Sequence, residues 1–517
     1  METKKPMHVV VCGAGPAGLL CAINLLRRNV VGSTPRYTVE LVDAGEDYGL
    51  LDSEGLVKKR SWMIGLAWPG LHAIRRVPNL YDGYVSKVGV EINSLALYLG
   101  SRKMLSSSGA AGTDAENYLV DRNHVTAALA SYLHEHFKAS GCLTLRYHTK
   151  LNFVDAEAHR VHVRCNGEDQ YLDYNLLVGA DGVRSGVRAA FVASHRDFEC
   201  AVSDIFERFK AVHLDLPEGM EYNCMHVFPS CVPHMNGIGL CESGRRINIS
   251  MGHRCHAPCD DALRSSDAKV VEAYLREHFK AVPNLPFSEW ARQWTAMDWQ
   301  STTMTHCNFY HSLKLGAVLM GDAAHATSPS IGMGMNHALG DAAALDVLLD
   351  EHCDDLSTAL PAYSEVRVKE GRALTDVADL IQSYDTRQNI LMTLRQVARG
   401  IGHALLPSYI DPEPYVAIGN GMKLSEAYAI LVRTGRLPAI RATNAAIKQR
   451  HFERTTGMVP PPAPSTRIST SMVAAIIALT AGAAALFVRT DLGSVATEAP
   501  LVSDGQPWWA QLRGRRV

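Results

Sequence analysis

Six residues near the start of the chain, Gly13-Ala14-Gly15-Pro16-Ala17-Gly18, put glycine at the first, third and sixth positions of a turn. That spacing suits a pyrophosphate. The first glycine permits a tight turn, the second lets the backbone approach the phosphates, and the third lets a helix pack closely on a strand. Phosphate oxygens then meet the free N–H groups and the positive dipole end of the following helix. Asp43, 25 residues past Gly18, adds a carboxylate able to accept hydrogen bonds from ribose hydroxyls.

These groups work only if the flanking segments hold them. His8 to Cys12 (HVVVC) is a short apolar run ending at Gly13, and Ala17, Leu19, Leu20, Ile23, Leu25 and Leu26 recur at helical spacing. A second β-rich run, Tyr37 to Val42, ends at Asp43. The order is a β-turn-α-β unit with a helix long enough for a parallel crossover. A glycine-rich turn alone need bind nothing; with strand, helix and acid in register it predicts dinucleotide binding.

Two later stretches narrow the dinucleotide. Leu176 to Arg188 (LLVGADGVRSGVR) contains Asp181 and Gly182 after an apolar strand, and resembles the DG motif of flavoprotein hydroxylases. Gly321-Asp322-Ala323-Ala324-His325, continuing to Gly332-Met333-Gly334-Met335-Asn336, resembles their second FAD fingerprint. Asp322 at a strand end can bind a ribityl chain or ribose, and the Gly332–Asn336 turn opens a helix whose N–H groups can face pyrophosphate and flavin. With three motifs in order, the chain is identified as similar to the class A FAD-dependent monooxygenases. Within that class it resembles the kynurenine 3-monooxygenases over about residues 7–385, through Arg60 to Ala67 (RSWMIGLA), Asp121-Arg122-Asn123 and Leu360 to Ser364 (LPAYS) leading to Arg367.

The resemblance implies FAD contacts at Arg60 and Arg122, and places Asn336 near flavin and substrate, with Tyr384 a second possible substrate contact. It implies that NADPH reduces FAD, that O2 adds at the flavin C4a, and that the hydroperoxide hydroxylates an activated, small aromatic substrate; NADH is not excluded as reductant. No side-chain base is required, so the protein's task is to exclude water and position the ring. Four positions depart from the family pattern. Asn93 stands where the kynurenine enzymes carry the arginine that binds the substrate carboxylate, and the assisting tyrosine has no counterpart in the Ser106–Thr113 loop. Met333 replaces the usual glutamine of the fingerprint, and Tyr384 is one position off the family's late tyrosines. A hydroxylase or epoxidase of the same class acting on another, lipophilic substrate therefore stays open, as does a membrane-tethered flavoprotein that binds FAD without hydroxylating.

The predicted architecture is α/β: a Rossmann-type FAD-binding fold with an inserted mixed β-sheet substrate domain, a C-terminal helical region and a transmembrane tail helix. Residues 1–190 form the first part of the FAD domain, with a substrate-domain insertion near 85–120. Residues 191–305 form the substrate sheet, 306–385 complete the FAD domain, and 386–458 are helical. Val459 to Pro464 (VPPPAP) lies in a stiff linker over 459–467. Ile468 to Val488 then runs 21 residues without a charge, long enough to span a bilayer, and 489–517 is a tail. With no signal peptide at the start, this predicts a single-pass C-terminal anchor with the catalytic region cytosolic; the family resemblance implies the mitochondrial outer membrane.

Composition sets the outer limits. In 517 residues, 51 Lys+Arg nearly balance 53 Asp+Glu, which argues against nucleic acid as a partner. The 12 cysteines are scattered singly, as in a reducing compartment. His253, Cys255, His256 and Cys259 come close in sequence but lack a second matched pair and sit in a loop pattern, so no metal site is expected. His325 reads as a structural or FAD-adjacent histidine, not a general base.

Overall fold

The computed structural model describes residues 5–457 apart from 53–54, 57–58, 60, 62, 108–117, 407 and 420. At its centre are β1 (Met7–Cys12), β2 (Tyr37–Val42), β3 (Leu143–Arg146), β4 (Leu176–Gly179), β5 (His311–Ser312) and β6 (Ala317–Leu319), in the sheet order β5-β6-β4-β1-β2-β3. All pairings are parallel except β5 with β6. A parallel sheet is covered on both faces, which explains why Val9, Val10 and Val11 are all buried and why β1 reads as a continuous apolar run. Helix α1 (Pro16–Leu26) is buried along nearly its whole length, between this sheet and the helix Gly334–Glu351.

A second six-stranded sheet runs in the order Glu207–Asp215, Arg246–Arg254, Met235–Glu242, Cys224–Val232, Ser94–Leu99, Arg102–Ser107. Its last two strands come from the segment that interrupts the first FAD-binding half; Cys224–Val232 pairs parallel with Ser94–Leu99, and the other neighbours are antiparallel. One face buries Tyr98, Cys224, Phe228, Cys241, Ile247 and Ile249 against Phe279, Trp290 and Trp294 of the helical cover. By alternation the other face carries Met225, Val227, Ile238, Leu240, Asn248 and Ser250. A three-stranded sheet (Met63–Leu66, Tyr118–Asp121, Gly89–Glu91) packs against the strand Met235–Glu242 and against the helices Arg122–Phe137 and Gly334–Glu351.

Beyond Glu351 the chain is helical: Leu356–Asp379, Thr386–Leu405, Pro414–Gly419, Leu424–Arg433 and Arg436–Thr455. Among the described residues no helix is long and apolar enough to cross a membrane. The anticipated linker at 459–467, membrane helix at 468–488 and tail at 489–517 fall outside the described residues.

Candidate FAD site

The C-terminal ends of β1, β2, β4 and β6 open into one cavity of about 780 Å³, towards the upper end of the ~300–1,000 Å³ typical of ligand sites. The three glycines of the first loop play distinct parts there. Gly13 has φ +106°, and a Cβ on it would come within 2.2 Å of the Ala180 carbonyl oxygen. A Cβ on Gly18 would lie 1.9 Å from the Gly13 oxygen, so this residue sets the close approach of α1 to the sheet without lining the cavity. Gly15, the N-cap of α1, faces the cavity, and a Cβ there would meet no protein atom within 4 Å. Backbone can therefore approach a ligand at Gly15 but not a side chain of any bulk. Ala14, Pro16 and Ala17 complete this wall.

Asp43 lines the cavity and also shapes it: Oδ2 accepts from Ala14 N–H at 2.6 Å and Oδ1 from Gly45 N–H at 2.6 Å. Each oxygen keeps a lone pair for a ribose hydroxyl. Asp181 accepts from Gly186 and Val187 N–H through Oδ2, while its buried Oδ1 has no protein partner. Burial pushes this carboxyl up, opposed by Ser185 and the backbone N–H groups. Gly182 turns with φ +76° and lines the same wall. Arg122 reaches the cavity from the first turn of the helix Arg122–Phe137, whose N-cap Asp121 accepts from Asn123 N–H and from Ser61 Oγ. Arg60 falls outside the described residues.

The second fingerprint closes the opposite side. Asp322 is exposed to the cavity from a turn in which Gly321 has φ +58°. Gly332 (φ +64°), Gly334 and Met335 bring a second helix N-terminus, that of Gly334–Glu351, to the same space. Two helix ends, an open Gly15 and an unsatisfied Asp181 oxygen, with Arg122, Lys150 and Arg184 as cations, form a donor and acceptor set that fits a dinucleotide of FAD type.

Three expected site residues lie elsewhere. Asn336 is fully buried and saturated by backbone: Oδ1 accepts from Ala67 N–H at 2.9 Å, and Nδ2 donates to Gly65 oxygen at 2.7 Å and Gly332 oxygen at 3.2 Å. With both amide hydrogens committed to backbone, it positions the fingerprint turn against the strand Met63–Leu66 and does not line the cavity. Met333 turns away from the cavity into an apolar cluster with Leu374, Val377 and Leu431, where a thioether packs at no cost in hydrogen bonds. Tyr384 packs against Phe206 and His256 beneath the Arg254 guanidinium, 5.0 Å from its ring, and does not line the cavity.

Beneath Asp322 lies a support that no sequence motif marks. Asp341, fully buried, accepts from Gly321 N–H at 2.8 Å and pairs with His325 Nε2 at 2.6 Å through one oxygen, and with Arg367 Nε at 2.5 Å through the other. Burial alone would raise this carboxyl, but the His325 and Arg367 charges hold it far below the usual range. The signal was present as an acid flanked by apolar residues in the helix Gly334–Glu351, 19 residues after Asp322. Thr126, Tyr147 and Asn152 also line the cavity and carry no motif, and Asn123 of the Asp121-Arg122-Asn123 stretch lines it beside Arg122. The His253–Cys259 cluster forms no group of converging ligands; among the described residues that arrangement is found at Glu221, Cys224 and His226, where Lys103 already pairs with Glu221 and Tyr98 with His226.

A family model described as FAD binding domain matches residues 122–378, which include Arg122, the DG turn and the whole second fingerprint. The chain belongs to the class A FAD-dependent monooxygenases. Violacein synthase of Chromobacterium violaceum is 25% identical over 418 residues, covering 78% of this chain and 92% of that one. Kynurenine 3-monooxygenase of Legionella pneumophila (strain Corby) is 24% identical over 374 residues, covering 70% and 76%. Among solved structures, the tetrameric form of 2-methyl-3-hydroxypyridine-5-carboxylic acid oxygenase superimposes with a TM-score of 0.56 at 17% identity, over 82% of this chain and 98% of that one, a likeness of fold. The monooxygenase fold thus accounts for the convergence of loops distant in sequence on a single FAD cavity.

Proposed function

We propose that this monooxygenase uses NADPH and O2 to hydroxylate a small, electron-rich aromatic substrate that carries no carboxylate. FAD supplies the redox chemistry when bound. The residues of this chain hold its phosphates at Gly15 and Gly334, orient its sugars with Asp43 and Asp322, and present an apolar sheet face, Met225, Val227, Ile238 and Leu240, to exclude water.

The observation that carries the substrate reading is the state of the arginines. A carboxylate entering an apolar site needs a charged partner, and a planar guanidinium is the usual one. Asn93 is exposed and offers no charge; its N–H donates to the Asn223 carbonyl. Arg76 pairs with Asp346 at 3.4 Å, and the Arg75 guanidinium lies 4.3 Å over the Tyr81 ring. Arg102 is exposed on the edge strand of the substrate sheet. Stopped-flow reduction of bound FAD by NADPH tests the reading, with L-kynurenine compared with a decarboxylated analogue, and product mass scored for one added oxygen atom. The analogue should stimulate reduction at least as well as kynurenine. A strong preference for kynurenine that survives removal of Arg75, Arg76 and Arg102 would sink it.

We also propose that residues 468–488 anchor the protein in a membrane with the catalytic region on the cytosolic side; the family resemblance makes the mitochondrial outer membrane the first to examine. Support is the uncharged 21-residue run itself. Full-length protein should stay in the pellet after alkaline carbonate extraction, and a chain ended after Val459 should not; full-length protein in the supernatant would refute the anchor.

A further inference from the structure

The chain enters the substrate sheet through the strand Cys200–Asp204 and returns through Thr303–Cys307, and these two strands pair antiparallel. They form a two-stranded tether between the FAD-binding layer and the substrate sheet. The tether also braces the FAD site, since Thr305 N–H donates to the Ala326 carbonyl just past the Asp322 turn.

At the FAD-side end of this tether Cys200 stands directly opposite Cys307, with the two Sγ atoms 3.8 Å apart. The phase of the ladder favours them. Ile205 N–H donates to Thr302 oxygen and Asn308 N–H to Glu199 oxygen, so the hydrogen-bonded pairs fall on Glu199 and Ile205 and every second residue between. Cys200–Cys307 is therefore a non-hydrogen-bonded pair, the kind in which side chains come closest, with Cα atoms ~4.5 Å apart. That separation falls inside the ~4.4–6.8 Å range of disulfides, and the sulfurs need to close by roughly 1.8 Å through side-chain rotation.

We propose that Cys200 and Cys307 are an oxidative modification site, at which hydrogen peroxide forms a disulfide that staples the tether. Cys200, the half-buried member, attacks the peroxide as thiolate; the O–O bond breaks, hydroxide leaves and takes up a proton, and Cys200 becomes a sulfenic acid. The Cys307 sulfur then attacks the Cys200 sulfur, the S–S bond forms, the S–O bond breaks, and the Cys307 proton leaves with the hydroxide as a second water. Two thiols are oxidised and one peroxide is reduced. The order follows from environment: burial, with Cys200 beside it, holds the Cys307 thiol well above its usual range, so the more accessible sulfur reacts first. Two-electron reduction of O2 by NADPH with no oxygen atom passed to a substrate yields hydrogen peroxide, so the oxidant arises where this class of enzyme works.

The bond would close a loop spanning 107 positions, which holds four of the six strands of the substrate sheet, and so constrain the unfolded chain strongly. The test uses full-length, FAD-loaded protein treated with hydrogen peroxide, alkylated, digested without reductant and mapped by mass spectrometry. A linked peptide pair containing Cys200 and Cys307 is expected, two hydrogens lighter than the free peptides and reversed by dithiothreitol. Oxidised protein should melt about 5 °C or more higher than reduced protein. Cys307→Ser should lose the linked pair and the melting shift, and dimedone should trap its Cys200 as sulfenic acid. Full alkylation of both cysteines after peroxide, or linkage to other cysteines only, would overturn the proposal.

Discussion

Replacing Asp341 by asparagine keeps the shape of the side chain and removes its charge. The structure then leaves Arg367 buried without its ion-pair partner, and His325 without the carboxylate it touches at 2.6 Å. Breaking one partner of a buried ion pair costs about 3–5 kcal/mol, because the stranded charge has already lost its water. Replacing Asp341 and Arg367 together by leucine and methionine removes both charges, and the double variant should recover most of that loss. A second readout concerns FAD. Asp341 accepts the Gly321 N–H that fixes the turn presenting Asp322. Weakening that charge-assisted bond is worth about 1.5–3 kcal/mol, or roughly 10- to 150-fold in FAD affinity. Urea unfolding of the apoprotein gives the first quantity and fluorescence titration with FAD the second. Asp341→Asn within about 0.5 kcal/mol of the parent would refute the buried-pair argument. A destabilised variant that binds FAD with unchanged affinity would refute the role assigned to the turn. The pH dependence has a definite sign: the Asp341 carboxyl is depressed in the folded state, so its contribution is present in full above the unfolded value near ~4 and is lost as pH falls below it.

Gly15→Val places bulk in the open space over the first loop, and purified protein should be colourless although its fold survives, checked by flavin absorbance and circular dichroism. Asn336→Leu removes bonds to the half-buried backbone groups of Ala67, Gly65 and Gly332, each worth about 0.5–1.5 kcal/mol; the urea midpoint should fall and the NADPH reduction rate with it, whereas a fall in rate alone would restore a direct substrate contact. His256 is pushed down to about 4 by burial and then by the nearby Arg254, His451 and Arg454 charges. The unfolded chain, with its histidine near ~6.5, binds the proton more readily, so stability is present above that value and drops as pH falls towards 4, by roughly 1–2 kcal/mol after solvent screening. His256→Phe should flatten that part of the pH–stability curve, and an unchanged slope would count against it.

The glycine loop, Asp43, the DG turn and the Asp322 fingerprint were readable from sequence because each depends on local backbone geometry. Positive φ at Gly13, Gly182, Gly321 and Gly332, and helix starts at Pro16 and Gly334, are requirements that residue type and spacing express directly. The buried parallel strand β1 was legible for the same reason, as an uninterrupted apolar run. Side-chain direction at long range was not. Asn336 sits inside the fingerprint, yet its amide is committed to Gly65 and Ala67, about 270 residues earlier in the chain. Met333 and Tyr384 likewise turn away from the cavity because the helices beyond residue 356 pack around them. Asp341 could be seen as an acid flanked by apolar residues, but only the approach of Arg367 and His325 makes it a support for Asp322. Cys200 and Cys307 are unremarkable in sequence and become neighbours only through antiparallel pairing of strands that flank four of the six strands of the substrate sheet. Local conformational preference acts over a few residues and leaves its mark in composition and spacing; the pairing of groups hundreds of residues apart is decided by which surfaces bury together, and that energy is summed over the entire core.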